Sequence, residues 1–263
     1  MENKFGQLSK LTLTAEKRRD KTILSDASFT APFKVMHPFY EKPGVMSVMA
    51  LTASAGIMAG DRQEFDITVK RGASMEFLSQ AYDKIHRMEQ GFAERTTNIV
   101  VEENAFLMYT PLPVIPFKDS DYRNTLNVRL ADESSKLIYS EILTCGRIAY
   151  GEKFLYKKYK SLINIFQGEK LIYRDNSCYD PELLDMEGMG MYEGFTHLAN
   201  LIFVNIEKND SWISKVREIL DKTDDIEGGV TRSLAGHVVI KILGRNADKL
   251  VTLLKSFTDM EED

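Results

Sequence analysis

Four times along this chain an alternating apolar run, a polar turn and a second apolar run follow one another, and the unit returns about every 30 to 35 residues. Residues 65–69 (Phe65-Asp66-Ile67-Thr68-Val69) pass through 70–73 into 74–79. Residues 97–101 pass through 102–105 into 106–110, 126–130 through 131–135 into 136–140, and 161–165 through 166–169 into 170–174. Alternation with a period of two is the mark of a strand with one buried face. One strand–turn–strand piece cannot bury its apolar face alone, so a fixed period means that units stack. The sequence therefore predicts a mainly β fold with a helical, coiled, two-layer arrangement of strands. Four separate hairpins in a β-sandwich would use the same strands. The matching turn positions favour the coil.

The C-terminal third changes character. Residues 210–222 put Ile213, Val216, Ile219 and Leu220 on one helical face, behind an N-cap at Asp210 or Ser211. Residues 246–257 repeat the pattern with Ala247, Leu250, Leu253 and Leu254, and 236–243 between them read as a strand. A few α-helices toward the C-terminus are thus expected to cover a sheet edge or face. The acidic tail, 259–263, is expected to fray. No linker rich in Pro, Gly or Ser divides the chain, so residues 1–263 are read as a single domain.

Composition narrows the function classes. With 43% apolar and 28% charged residues the chain has the balance of a soluble globular protein. A net charge of -5 excludes nucleic-acid binding by overall charge. Two cysteines, Cys145 and Cys178, are too few for a disulfide framework and suit a reducing compartment. The N-terminus carries no apolar signal segment, and the longest apolar stretch, 198–206, is about half of what a membrane helix needs. A cytoplasmic protein that uses neither membrane nor nucleic acid is the expectation.

No nucleophile elbow or phosphate-binding Gly-Lys-Ser/Thr loop is present. The four histidines, His37, His86, His197 and His237, have no chelating spacing. His197 and His237 lie in strand-like runs and read as structural. Cys145 has one nearby cation, Arg147, which is weak support for a reactive thiol against the commoner buried cysteine. Met186, Met189 and Met191 read as packing groups in a loop, or as a soft-metal cluster. The run Pro111-Leu112-Pro113-Val114-Ile115-Pro116 is either a rigid corner or a partner-docking ridge. The sharpest candidate is Asp61, after Gly56 and Gly60. Its carboxylate either caps its own turn or lines an interior passage for water or cations. With no chelating cluster, any metal contact falls to weak oxygen and imidazole ligands: Asp61, His86 and His37.

Several of these segments, in this order and spacing, carry a resemblance. They are Ala31-Pro32-Phe33 through Tyr40, Gly56 through Asp61 leading to Ser79-Gln80, the proline run ending at Phe117, Glu141 through Arg147 with Gly151-Glu152, and Gly229-Val230-Thr231-Arg232 with Gly236. Together they make the chain resemble the UreD/UreH family of urease accessory proteins from about Leu11 to about Leu254. Ala55, where a second glycine is usual, and Ser79-Gln80-Ala81-Tyr82, where Thr-Gln-Ala-Ala is, are small departures. The resemblance implies a coiled β chaperone of urease maturation, not an enzyme. It implies binding to a UreF-like accessory protein, to a UreG-like GTPase through UreF, and to apo-urease. Nickel would be in transit through an interior channel, with no cofactor tightly bound. The alternative from another class is a cytosolic β-solenoid enzyme acting on a small molecule through Asp61, His86 and Glu141.

Overall fold

The runs read as strands are strands, and all but the last run of the repeat pair with the run one period away. The computed structural model describes residues 8–261. In it β1 (Leu8–Arg18) turns back as β2 (Lys21–Phe29), and β3 (Phe33–Val35) leads to β4 (Met46–Thr52). From there the chain winds between two sheets: β5 (Arg62–Val69), β6 (Ser74–Ser79), β7 (Asp83–Ile85), β8 (Ala93–Val101), β9 (Phe106–Tyr109), β10 (Val114–Pro116), β11 (Asp121–Leu130), β12 (Lys136–Thr144) and β13 (Lys158–Gln167). In the first sheet β5, β8, β11 and β13 are parallel neighbours: Ile67 pairs with Ile99, Ile99 with Val128, and Val128 with Ile165. In the second, Met46 of β4 pairs with Met75 of β6, Met75 with Leu107 of β9, and Leu107 with Leu137 of β12. One sequence unit is one turn of a two-layer coil.

The fourth unit departs from this expectation. Residues 170–174 belong to β14 (Lys170–Tyr179), which folds back antiparallel on β13 within the first sheet. The physical reason is turn length. Four or five residues in the other units carry the chain across the roughly 10 Å between stacked sheets. Here only Gly168 and Glu169 separate the strands, and two residues with Gly168 at φ +55° make a hairpin. Antiparallel hairpins thus form both edges of the seven-stranded sheet, in the order β14-β13-β11-β8-β5-β1-β2.

The second sheet continues past β12 with β15 (His197–Val204), β17 (Val238–Gly244) and, at its edge, β16 (Ile226–Arg232), all antiparallel. No alternating run announces β16, which carries Gly228 and Gly229. A Cβ at Gly228 would stand 2.9 Å from the Lys241 carbonyl oxygen, so pairing there requires glycine. The helices α1 (Asp210–Lys222) and α2 (Ala247–Asp259) lie on the outer face of this sheet. Trp212, Val216, Leu250, Leu254 and Phe257 pack there against Ala199, Leu201, Ile240 and Ile242. Asn209 caps α1, accepting from Trp212 N–H at 2.7 Å, one residue before the expected position. Asn246 caps α2 in the same way. Asn, Asp and Ser cap equally well, so composition alone cannot choose among neighbours.

Between the sheets the core repeats by rungs, with Ile67, Ile99, Val128 and Ile165 facing Met75, Leu107 and Leu137. An aromatic file runs through it: Phe77 stacks on Tyr109 at 4.8 Å, and Tyr109 on Tyr139 at 6.2 Å. On the outer face of the first sheet, stacking aligns Asp66, Asn98, Asn127 and Asn164 into a hydrogen-bonded ladder. Among the described residues no helix is long and apolar enough to cross a membrane. Phe77, 2% exposed, is the first ring of the aromatic file. Phe77→Ala is expected to lower the unfolding free energy by about 3–5 kcal/mol in urea denaturation. A loss under about 1 kcal/mol would contradict this packing.

Candidate functional site

The glycine-rich loop after β4 is fastened to the segment that follows β6. Ile57 N–H donates to the Lys84 carbonyl and His86 N–H to the Ile57 carbonyl, each at 2.8 Å. Gly56 has φ +148°, and a Cβ on it would stand 2.4 Å from the Lys84 oxygen and 2.7 Å from His86 Cδ2. Only glycine permits that approach. His86 Nε2 lies 3.0 Å from the Ala55 carbonyl oxygen, and its ring packs on Phe117 at 4.8 Å. Asp61 accepts from Met58 N–H at 2.8 Å and so caps its own turn, the first of its two readings. Asp61 and His86 share this loop cluster, but their bonds go to Met58 and Ala55. His37 is exposed and stands elsewhere. Met36 bonds to Met49 and Phe39 pairs with Ser47, which puts His37 beside the start of β4. The glycine loop begins past the other end of that strand, roughly 20 Å away at about 3.3 Å per residue.

A second set of polar groups lies inside. Gln63 pairs with Arg95, Arg95 with Asn124, Asn124 with Ser161, and Ser161 with Ser177, one rung across five strands of the first sheet. The next inward residues after Gln63, Asn124 and Ser161 are apolar, Phe65, Leu126 and Ile163 of the main core, and after Arg95 comes the buried Thr97. In the second sheet Glu141 pairs with Asn200, and Asn200 with Lys241. The two rungs meet. Glu141 accepts from Ser161 Oγ at 3.0 Å, from Asn200 Nδ2 at 2.9 Å and from Tyr139 OH at 3.2 Å. The result is a polar layer perpendicular to the strands. It holds a cavity of about 30 Å³, lined by Asp83, Arg95, Asn124, Tyr139, Glu141 and Tyr159, room for roughly one or two waters. Asp83 also lines a recess of about 80 Å³ formed by the glycine loop and residues 79–84. The loop cluster and the layer therefore adjoin at Asp83.

Charge in this layer is compensated. Arg95 is buried, and its guanidinium bonds to Asp83 and, at 2.7 and 2.9 Å, to Gln63 Oε1. Burial works against its positive charge, and Asp83, together with Tyr122 and Tyr109, more than offsets that. At the other end Lys241 Nζ lies 2.6 Å from Asp175 Oδ2. Burial pushes the Glu141 carboxyl above the ordinary carboxylate range, against the hydrogen bonds from Asn200 and Ser161.

The sequence expectations sort accordingly. Glu141 is not gathered with Asp61 and His86, since its partners are Tyr139, Ser161 and Asn200. The Cys145 thiol is buried and pushed up to about 11, which makes it inert rather than reactive. Met186 is buried, Met191 packs against the same cluster, and Met189 is 97% exposed, so the three thioethers do not converge. Pro113 and Pro116 are buried, and Asp83 N–H donates to the Pro113 carbonyl. The proline run is a corner, not an exposed ridge. His197 and His237 are buried, and burial lowers the pKa of both. Gln63, Arg95, Asn124, Ser161, Asn200, Asp175 and Lys241 escaped the sequence reading. A signal existed: Gln63, Arg95, Asn124 and Ser161 each stand two residues before an inward-facing residue, Phe65, Thr97, Leu126 or Ile163. Aligned on the repeat, they form one polar column.

The fold and this site define a coiled β scaffold with a buried polar layer. Among the described residues no group of three or more His, Cys, Asp or Glu converges as a metal centre. Comparison with known proteins gives the family. The chain matches the UreD urease accessory protein family over residues 7–260. It is 40% identical over 256 residues to the urease accessory protein UreD of Acetivibrio thermocellus, covering 97% of each chain. It is 37% identical over 252 residues to the urease accessory protein UreH of Helicobacter pylori, covering 95% of this chain and 94% of that one. This chain belongs to the UreD family of urease accessory proteins.

Two measurements check the site. Asp61→Ala removes a turn cap and is expected to cost about 1 kcal/mol of stability, by analogy with loss of a helix cap. Asp83→Asn leaves Arg95 buried without its counter-ion and should cost about 3–5 kcal/mol. Equal losses in denaturant titrations would contradict the assignment. The second concerns pH. The folded chain holds the Glu141 proton more tightly than the unfolded chain, so ionisation lowers stability as pH rises from the ordinary carboxylate value through the raised one. Glu141→Gln removes that loss. The melting-temperature gap, variant minus parent, should widen in favour of the variant between pH 4 and pH 7, and a pH-independent gap would contradict it.

Proposed function

We propose that this chain is a non-catalytic scaffold of urease maturation. It binds a UreF-like accessory protein, carries a UreG-like GTPase through that partner, docks on apo-urease, and passes nickel along the polar layer between its sheets. The observation that carries this reading is the layer itself. An interior rung of Gln63, Arg95, Asn124 and Ser161 facing Glu141 and Asn200 has no place in a plain hydrophobic core. A divalent cation crossing an interior needs oxygen groups to replace the water it sheds. A carrier must also release what it holds, and oxygen groups bind nickel more loosely than thiolates do. Asp61 and His86, in the loop cluster that adjoins the layer at Asp83, are the outer contacts of this path, and His37, on the surface roughly 20 Å from that loop, is a separate weak contact. Family membership supports the maturation role and the association with urease. We place the action in the cytoplasm, where the unpaired Cys145 and Cys178 stay reduced.

The test is co-expression with a UreF-like protein, a UreG-like GTPase and urease. The parent chain and Glu141→Gln should both elute with the UreF-like protein as one species. Urease matured with the variant should carry several-fold less nickel. Separate elution at micromolar concentration contradicts the scaffold role, and normal nickel content with a folded variant removes the layer from the path.

A further inference from the structure

The polar layer is closed at each end by a cation on an aspartate, and the two closures differ. Arg95 is 8% exposed and bonded to both Asp83 and Gln63, so it is fixed. The Lys241 ammonium also holds an aspartate, Asp175, at 2.6 Å, but its side chain is 49% exposed. It lines a surface recess of about 360 Å³ with Leu198, Glu193 and Glu227. Its long flexible stem gives it a way into solvent.

Behind Lys241 the layer presents oxygen. Asp175 is 12% exposed and accepts from Ser177 Oγ at 2.8 Å. Asn200, 4% exposed, is the cross-strand partner of Lys241 and gives its amide N–H to Glu141. The amide oxygen of Asn200 shares that planar group, so it too lies in the layer, and it is buried without a hydrogen-bond partner. A buried acceptor without a donor is costly. The charge of Asp175 adds to the burial that already disfavours ionised Glu141. A positive charge beside Asp175 and Glu141 would relieve the second condition, and one that also met the Asn200 oxygen would relieve the first. Lys241 meets the second from the outer side, at Asp175.

We propose that Lys241 is a resident stand-in for the cargo: its ammonium closes the outer end of the layer, and a divalent cation entering from the recess displaces it and is held by Asp175, Glu141 and the Asn200 amide oxygen. The biological sense of this exchange rests on the conduit reading, but its chemistry does not. Loading is then the replacement of one cation by another. A tethered ammonium competes at an effective concentration of order millimolar, which keeps the hold on the metal weak and drives release when Lys241 returns.

The experiment is calorimetric titration of Ni²⁺ alone into the tag-free chain and into Lys241→Met, which keeps the stem and removes the charge. Nickel should bind the variant about tenfold tighter or more, and adding Asp175→Asn should abolish the gain. Equal affinity in the parent and Lys241→Met overturns the proposal. Should Lys241→Met fail to fold, the parent chain answers by itself. Ni²⁺ should raise acetylation of Lys241 by a water-soluble succinimidyl acetate several-fold relative to the exposed Lys84, read by peptide mass, and unchanged labelling overturns the exchange. The two readings separate cleanly. Tighter nickel binding by Lys241→Met with normal urease loading through Glu141→Gln upholds the exchange site and defeats the conduit. Unmoved nickel binding with nickel-poor urease does the reverse.

Discussion

Parallel stacking one period apart is the constraint from which the rest follows. When Ile67 lies beside Ile99 and Ile99 beside Val128, every position of the unit is repeated along a rung that crosses the sheet. A residue type placed once per unit becomes a continuous row. Apolar columns become the core, and the Asp66–Asn164 ladder forms on the outer face by the same rule. The column Gln63, Arg95, Asn124, Ser161 becomes a polar layer inside. Side chains alternate between faces with period two, so a slip of one residue would turn that row to solvent and bring the ladder in. The apolar rungs on the inner face hold the register that keeps the polar row buried.

Such a layer is expensive for a core of this size. Leaving a buried amide or hydroxyl unpaired costs about 1–3 kcal/mol, and breaking a buried ion pair costs more. The chain offsets these costs with specific partners: Asp83 and Gln63 for Arg95, Ser161 and Asn200 for Glu141, and Lys241 for Asp175. Within the layer two costs remain. The Asn200 oxygen lacks a partner, and the Glu141 carboxyl is held above its ordinary range. Residual cost built into a polar layer of this kind is kept more often for function than for stability.

Sequence reasoning reached the features that local pattern controls. The alternating runs, three of the four coil turns and both C-terminal helices follow from period-two and period-3.6 spacing, Gly56 marks a real close approach, and Gly60 sits at a positive φ of 83°. What it missed depends on register or on turn length. The polar layer exists only once strands far apart in sequence are aligned, and the repeat was read from Phe65, Thr97, Leu126 and Ser161, which leaves its first three members outside the unit. Asp83 was hidden because β7 has three residues, too few for a periodic signal. The fourth coil turn became a hairpin because two residues, not four, follow β13. The β16 strand escaped because pairing against β17 needs the glycine that strand propensity disfavours.

The central claim is that the layer between the sheets, rather than any surface group, is where a transiting cation meets this chain. Anomalous diffraction at the nickel edge, from crystals soaked in Ni²⁺, tests it most directly. The predicted result is an anomalous peak inside the layer, between Arg95 and Lys241 and next to Glu141. Peaks confined to the surface, at His37 or at the His86 loop, would contradict it.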